Sequence, residues 1–286
     1  MPYVSSKNML ADACAGNYAV CAFNAENLEM LQAIIWGASE LNAPVIIQTT
    51  PSTIKYTGCE YFRAVVETAG ESSRFPVSLH LDHGESLELV ALAIDAGYSS
   101  VMLDGSRLSF EENIKLTRQA VKYACALGVP VEAELGKVGG KEDGVGDALE
   151  VPQENYADPQ QAREFVARTL CDSLAVGIGT AHGVYKDTPK LDLGRLAEIK
   201  KLVDVPLVLH GATGLSDNII KECVSLGINK INYATELRQA YTLAVREKLS
   251  DASIIDPKIY SGHARDRVRE VVKSKIRLSG SVGKIK

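Results

Sequence analysis

The chain has 286 residues, 46% hydrophobic and 23% charged, with a formal net charge of −5. This is the composition of an ordinary globular protein. The negative balance leaves no basic footprint for nucleic acid, and no apolar run approaches the roughly 18 residues of a membrane span. Six cysteines (14, 21, 59, 125, 171 and 223) form no C-x-x-C pair and are expected as reduced, mostly buried thiols. The opening "MPYVSSKNML" lacks the charged and apolar regions of a secretion signal, so a cytoplasmic protein is expected.

In chain order, a helix is expected at residues 5–15, placed to cap a barrel floor. Eight short apolar runs of strand length follow: "YAVCAF" (18–23), "PVIIQT" (44–49), "PVSLHL" (76–81), "SVMLD" (100–104), "PVEAEL" (130–135), "SLAVGI" (173–178), "PLVLH" (206–210) and "KINYA" (230–234). Helical patterns lie between them. "ENLEMLQAIIWGASEL" sets Leu28, Leu31, Ile35 and Ala38 on one stripe. Asp158 precedes Pro159 as an N-cap precedes a first-turn proline. Gly97 and Gly227 follow helical runs where a left-handed residue is wanted. A last helix is expected at 264–278.

Runs apolar at successive positions fit strands covered on both faces, and strands alternating with helices are parallel. Their number favours an α/β fold of the closed (β/α)₈ TIM-barrel type, with an extra N-terminal helix and a C-terminal helical extension. No Pro-, Gly- or Ser-rich linker interrupts the chain, so residues 1–286 are expected to form one domain. The glycine-rich, charged segment 136–158 is longer than most connections and is expected to act as a lid.

Barrel chemistry takes place at the C-terminal ends of the strands. Read in order, those ends carry Asn24, Asp82 with His83, Asp104, Glu134, His182, His210 and Asn232. Such polar groups are costly in a core; a barrel brings them to one rim. His83, His182 and His210 suit a catalytic zinc, which takes three protein ligands and keeps one position open. His80 reads as a barrel-interior residue. Asp82 is placed either as a general acid/base or as an orienting partner for a histidine. Asp104 and Glu134 are candidates for a second cation or for orienting the ligands. "HGATG" (210–214) and "NYAT" (232–235) follow strands seven and eight, where barrels commonly bind phosphate. Gly183 and Gly211 permit close backbone approach, and Lys186 supplies a positive charge.

Together "LHLDHG", "VEAELGKVGGKEDG", "GIGTAHGVY", "VLHGATGLS" and "KINYATE" resemble the zinc-dependent class II ketose-bisphosphate aldolases, and "TPSTIKYTG" (50–58) resembles the tagatose-bisphosphate group. The resemblance runs in order along essentially the whole chain. It implies a barrel that cleaves a ketose 1,6-bisphosphate to dihydroxyacetone phosphate and glyceraldehyde 3-phosphate. It implies one catalytic Zn²⁺ on His83, His182 and His210, with Asp104 and Glu134 at a second or alternative metal position. Asp82 is implied as the acid/base at the C4 oxygen, Glu142 as the carboxylate that moves the C3 proton, and Asn232 as a donor to the developing oxyanion. Asn24, Gly183, Lys186, Gly211, Ala212, Thr213, Asn232, Tyr233, Ala234 and Thr235 are implied substrate and phosphate contacts. A sodium or potassium ion near the phosphate and a homodimer or homotetramer are also implied.

Some positions depart from the family pattern. Thr213 replaces a common serine, and Tyr233 a smaller apolar residue. Gly262 stands where many relatives place an arginine that a neighbouring subunit brings to the distal phosphate; Arg265 follows and is a candidate in its stead. The group at C6 therefore stays open between phosphate and sulfonate. Metal-dependent hydrolysis and a non-catalytic sugar-phosphate sensor are the rival readings. No H-x-H pair follows the first strand to favour the hydrolase.

Overall fold

The structure, a computed structural model, describes residues 3–140, 151–183, 185 and 189–285. Glu142, Lys186 and the middle of the expected lid lie outside the described residues. Eight strands, β1 (Val20–Asn24), β2 (Val45–Thr49), β3 (Val77–Gly84), β4 (Ser100–Leu103), β5 (Val131–Leu135), β6 (Ser173–Val176), β7 (Leu207–Leu209) and β8 (Ile228–Tyr233), close into one barrel. All neighbours pair in parallel, including β8 with β1. The expected TIM barrel is present, with each strand near its expected position.

The helices are α1 (Ser6–Gly16), α2 (Leu28–Glu40), α3 (Pro51–Thr57), α4 (Cys59–Ser72), α5 (Leu87–Asp95), α6 (Phe110–Cys125), α7 (Pro159–Thr169), α8 (Leu193–Leu202), α9 (Asp217–Ser225), α10 (Thr235–Leu249) and α11 (Pro257–Leu278). Asp158 caps α7 through the backbone N–H groups of Gln160 and Gln161, with Pro159 in the first turn. The final helix begins earlier than the pattern suggests. Asp256 caps it and Pro257 opens it, while Gly262 in its second turn masks the start. No helix among the described residues is long and apolar enough to cross a membrane.

Side chains alternate along each strand with period two. Cys21, Phe23, Val45, Ile47, Leu79, Leu81, Val101 and their counterparts point outward into the main apolar cluster under the helices. The inward set is unusual. At the floor it is apolar: Val20, Ala22 and Ile46 pack on Met9, Leu10 and Ala13 of α1. Ser6 Oγ lies 2.8 Å from Ser100 Oγ, and Cys14 Sγ 2.9 Å from Asn229 Oδ1. Above that plug the interior turns polar, with Gln48, His80, Ser100, Glu132 and Lys230 all buried.

Tyr233 belongs to the outward set. It is fully buried, its ring stacked 5.7 Å from Phe23. Only its backbone therefore faces the barrel mouth, and the side chain is no substrate contact. Its hydroxyl is buried with no hydrogen-bond partner. Tyr233→Phe is therefore expected to hold or raise stability, by up to about 1 kcal/mol, because it deletes an unmatched polar group without changing the packing. Urea unfolding would measure this; a clear loss of stability would mean that the hydroxyl has a partner.

Candidate active site

The barrel mouth opens into a cavity of about 920 Å³ lined by His83, Asp104, Glu134 and His182 from the ends of four strand units. Ordinary alternation points Ser78, His80 and Asp82 inward and would turn His83 outward. Instead His83 adopts a left-handed backbone conformation, φ 48°. The β3–β4 register shifts between Leu81 and Gly84. A bulge of this kind re-aims a side chain, and such strain is typical of functional positions. It brings two consecutive residues, Asp82 and His83, to one site.

The donor atoms of His83, His182 and His210 all lie within 4.8 Å of one another, as do those of His83, Asp104 and Glu134. The rings of His83 and His210 are 4.7 Å apart, and those of His83 and His182 5.0 Å. Each of two histidines is tied back through one nitrogen. His83 Nδ1 sits 2.9 Å from Asp104 Oδ2, and His210 Nε2 3.0 Å from Glu132 Oε1. Asp104 is itself held by Ser106, whose N–H and hydroxyl both donate to it. Carboxylates placed behind imidazoles in this way fix the ring orientation and the tautomer. The other nitrogens, His83 Nε2 and His210 Nδ1, are buried without aligned hydrogen-bond partners, and so is Glu134 Oε2. His210 Nδ1 and Glu134 Oε2 face each other at 2.9 Å, off the line of a hydrogen bond. Orphaned buried donor atoms that converge fit a shared divalent cation.

The electrostatics agree. Burial alone disfavours a charged imidazole, yet the Glu132 and Glu134 carboxylates push His210 up to about 9. Asp82, Asp104 and Glu134 likewise outweigh burial and raise His83. Burial would raise Asp104, but hydrogen bonding to His83 and Ser106 holds it below the usual range. This negative field attracts either protons or a metal.

Asp82 is fully buried and held by three side-chain amides. Asn24 Nδ2 and Gln48 Nε2 donate to Oδ2 at 3.0 and 3.1 Å, and Asn232 Nδ2 donates to Oδ1 at 3.0 Å. Asn24 and Asn232 thus stand beside the carboxylate, within β1 and β8. In the loops after β6 and β7, Gly183, Gly211, Ala212 and Thr213 are buried around the mouth. Tyr185 joins the two loops: its hydroxyl accepts from Ala181 N–H and donates to Gly211 O, at 2.7 and 2.8 Å. Gly211 has φ 65°, and a Cβ there would meet Ala181 O at 2.6 Å, so only glycine fits. Helix α10 starts at Thr235, with Ala234 as an N-cap that offers no side-chain acceptor. Its first N–H groups remain available for an anion.

Arg265 is placed elsewhere. Its guanidinium lies 4.4 Å over the Trp36 ring and donates to Gln32 Oε1 at 3.0 Å, in the α2–α11 layer. It does not line this chain's mouth cavity. Three participants escaped sequence reasoning: Gln48, Glu132 and Lys230. The signal was present in the period-two pattern, since Glu132 and Glu134 share a face, as do Lys230 and Asn232.

A closed parallel barrel with three histidines, two carboxylates and a buried aspartate at its C-terminal mouth is a candidate cation centre with an adjacent acid/base. The chain belongs to the fructose-bisphosphate aldolase class-II family, whose profile matches residues 4–284. It is 39% identical to the YdjI aldolase from Escherichia coli K12, with a TM-score of 0.87 over 99% of this chain and 100% of that one. A chain from Coccidioides immitis, provisionally assigned as a fructose-1,6-bisphosphate aldolase, is 31% identical, with a TM-score of 0.88 over 97% and 96%. Fructose-bisphosphate aldolase from Campylobacter jejuni shares the fold, at 23% identity and a TM-score of 0.83 over 99% and 96%.

Proposed function

We propose that this family member is a zinc-dependent aldolase cleaving tagatose or fructose 1,6-bisphosphate to dihydroxyacetone phosphate and glyceraldehyde 3-phosphate. A 6-sulfonated ketose 1-phosphate is the alternative substrate. The observation that carries this reading is the approach of three histidine donor atoms to within 4.8 Å of one another, at the end of the strand that also presents the buried, amide-held Asp82.

His83, His182 and His210 would hold the ion. When bound, it supplies a Lewis acid that polarises the substrate carbonyl. Asp82 takes the proton of the C4 hydroxyl as the C3–C4 bond breaks, and the three amides keep it aimed. Asn232 lies within reach of both Asp82 and the carbonyl region, where a preorganised donor is worth about 3 kcal/mol. The Gly183, Gly211 and Thr213 loops and the start of α10 cradle the C1 phosphate. The family motif assigns to Glu142 the return of a proton to C3 of the dihydroxyacetone phosphate fragment.

The test is a cleavage assay on the purified protein with added Zn²⁺, comparing the three substrates with and without chelator. Activity should vanish with the metal and return on adding it back. Activity that persists after verified metal removal would refute the metal role. Chelation should also lower Tm by several degrees, because a ligand at about 1,000 times its Kd adds roughly 4 kcal/mol. Proton and metal compete at His210, so apparent metal affinity should rise with pH up to about 9. A pH-independent affinity would contradict that competition.

A further inference from the structure

The three histidines stand on separate strand ends, so their mutual spacing depends on the loops that carry them. Two of those loops touch. His182 lies in the loop after β6, and His210 directly follows β7. Ala181 immediately precedes His182, and Gly211 immediately follows His210. A Cβ on Gly211 would meet Ala181 O at 2.6 Å and Ala181 N at 2.9 Å, so the two backbones are in contact there. The Tyr185 hydroxyl spans this contact, accepting from Ala181 N–H at 2.7 Å and donating to Gly211 O at 2.8 Å. A neutral phenol does both at once, and burial pushes Tyr185 up to about 12, which keeps it neutral. His182 is held further through its own N–H, which donates to Gly139 O at 2.7 Å.

The rings of His182 and His210 are 6.2 Å apart, the widest of the three histidine pairs, against 4.7 and 5.0 Å for the other two. Their separation is therefore the one least fixed by the rings themselves. Asp104 and Glu132 orient the His83 and His210 rings, but a carboxylate behind a ring does not set the distance between two loops. From this geometry we infer that Tyr185 is a positioning residue, whose hydroxyl clasps the His182 and His210 loops at the spacing that a zinc ion requires and so sets the zinc affinity of the centre. It acts through the backbone, one residue away from each histidine. Zinc–nitrogen bonds of about 2.0–2.1 Å leave little tolerance for a change in that spacing. The inference rests on the zinc-aldolase reading and deepens it with a residue that supplies no ligand atom.

Tyr185→Phe keeps the ring and deletes both hydrogen bonds. Its zinc affinity, read by competition with a chelator on the full chain, should fall about 10- to 100-fold, the range of groups that support metal ligands. With Co²⁺ in place of Zn²⁺ its visible absorption bands should shift, because they report the coordination geometry. Phe165→Leu is the control. It opens a cavity in the helix layer beside Phe110, and should lower the Tm of the metal-free protein while leaving zinc affinity and cobalt bands as in the native chain. Gly211→Ala forces the same two loops apart by a second route, and should weaken zinc binding and shift the cobalt bands as well. Native zinc affinity with native cobalt bands in Tyr185→Phe, or in Gly211→Ala where the first variant does not fold, overturns the clasp. So does a loss of zinc affinity in Phe165→Leu equal to that in Tyr185→Phe, which would reduce the effect to general softening of the fold. A native chain that binds no zinc would instead overturn the metal reading beneath the clasp, and the clasp with it.

Discussion

Asp82→Asn is expected to lower kcat by about 10²- to 10⁴-fold, the usual contribution of a positioned general acid/base, while metal content stays near that of the native chain. The reason lies in the contacts. Asp82 is engaged by Asn24, Gln48 and Asn232 and is not a member of either group of converging donor atoms. In the proposed mechanism its charge serves proton transfer, not metal ligation. Asparagine keeps the shape but can no longer accept a proton. Its own NH₂ must also face one of three amide donors, which costs some stability. Asp82→Ala relieves that clash and should be equally inactive. Coupled detection of dihydroxyacetone phosphate, with metal analysis of the same samples, checks both halves. A variant that turns over normally, or that loses its metal, would remove Asp82 from the acid/base role.

Lys230→Met should be among the most damaging substitutions for stability. Lys230 Nζ lies 2.9 and 3.1 Å from the two oxygens of Glu132 in the barrel interior, both residues almost fully buried. The same carboxylate accepts from His210 and faces His80 at 3.9 Å. Burial would raise Glu132, yet Lys230 and His210 hold it below the usual carboxylate range. Its contribution is therefore present above the unfolded carboxylate pKa of about 4.3 and fades as pH falls through the lower folded value. Removing one partner of a buried pair costs about 3–5 kcal/mol, whereas replacing both is often neutral. Lys230→Met should thus lose that amount in urea unfolding, and Lys230→Met with Glu132→Gln should regain most of it. Simple additivity of the two changes would mean that the pair is not coupled. Because Glu132 also orients His210, the single variant should bind zinc more weakly, within the range of about 10- to 100-fold typical of such supporting groups.

The architecture was legible because its signals are local. Eight apolar runs of strand length, the Asp158–Pro159 helix start and the glycine stops each report on a few neighbouring residues. Helices α3 and α4 were not singled out, because Pro51 and Gly58 break the apolar pattern; in the fold Thr50 caps α3 and Gly58 separates the two helices. The three histidines were legible because each ends an apolar run. The supporting network was not. Gln48, Glu132 and Lys230 sit inside strands, where a polar residue takes meaning only once closure brings β2, β5 and β8 to a common interior. Tyr233 was misread for a related reason. Its neighbours Asn232 and Ala234 border the mouth, but alternation sends its own side chain into the helix layer. The cation–π contact of Arg265 with Trp36 is visible only in three dimensions.

The most direct test is crystallographic: a Zn²⁺-loaded crystal measured on both sides of the zinc absorption edge. The account predicts one strong anomalous peak at the barrel mouth, about 2.0–2.1 Å from one nitrogen each of His83, His182 and His210. No peak there, or a zinc ion bound by other residues while the three rings point apart, would contradict it.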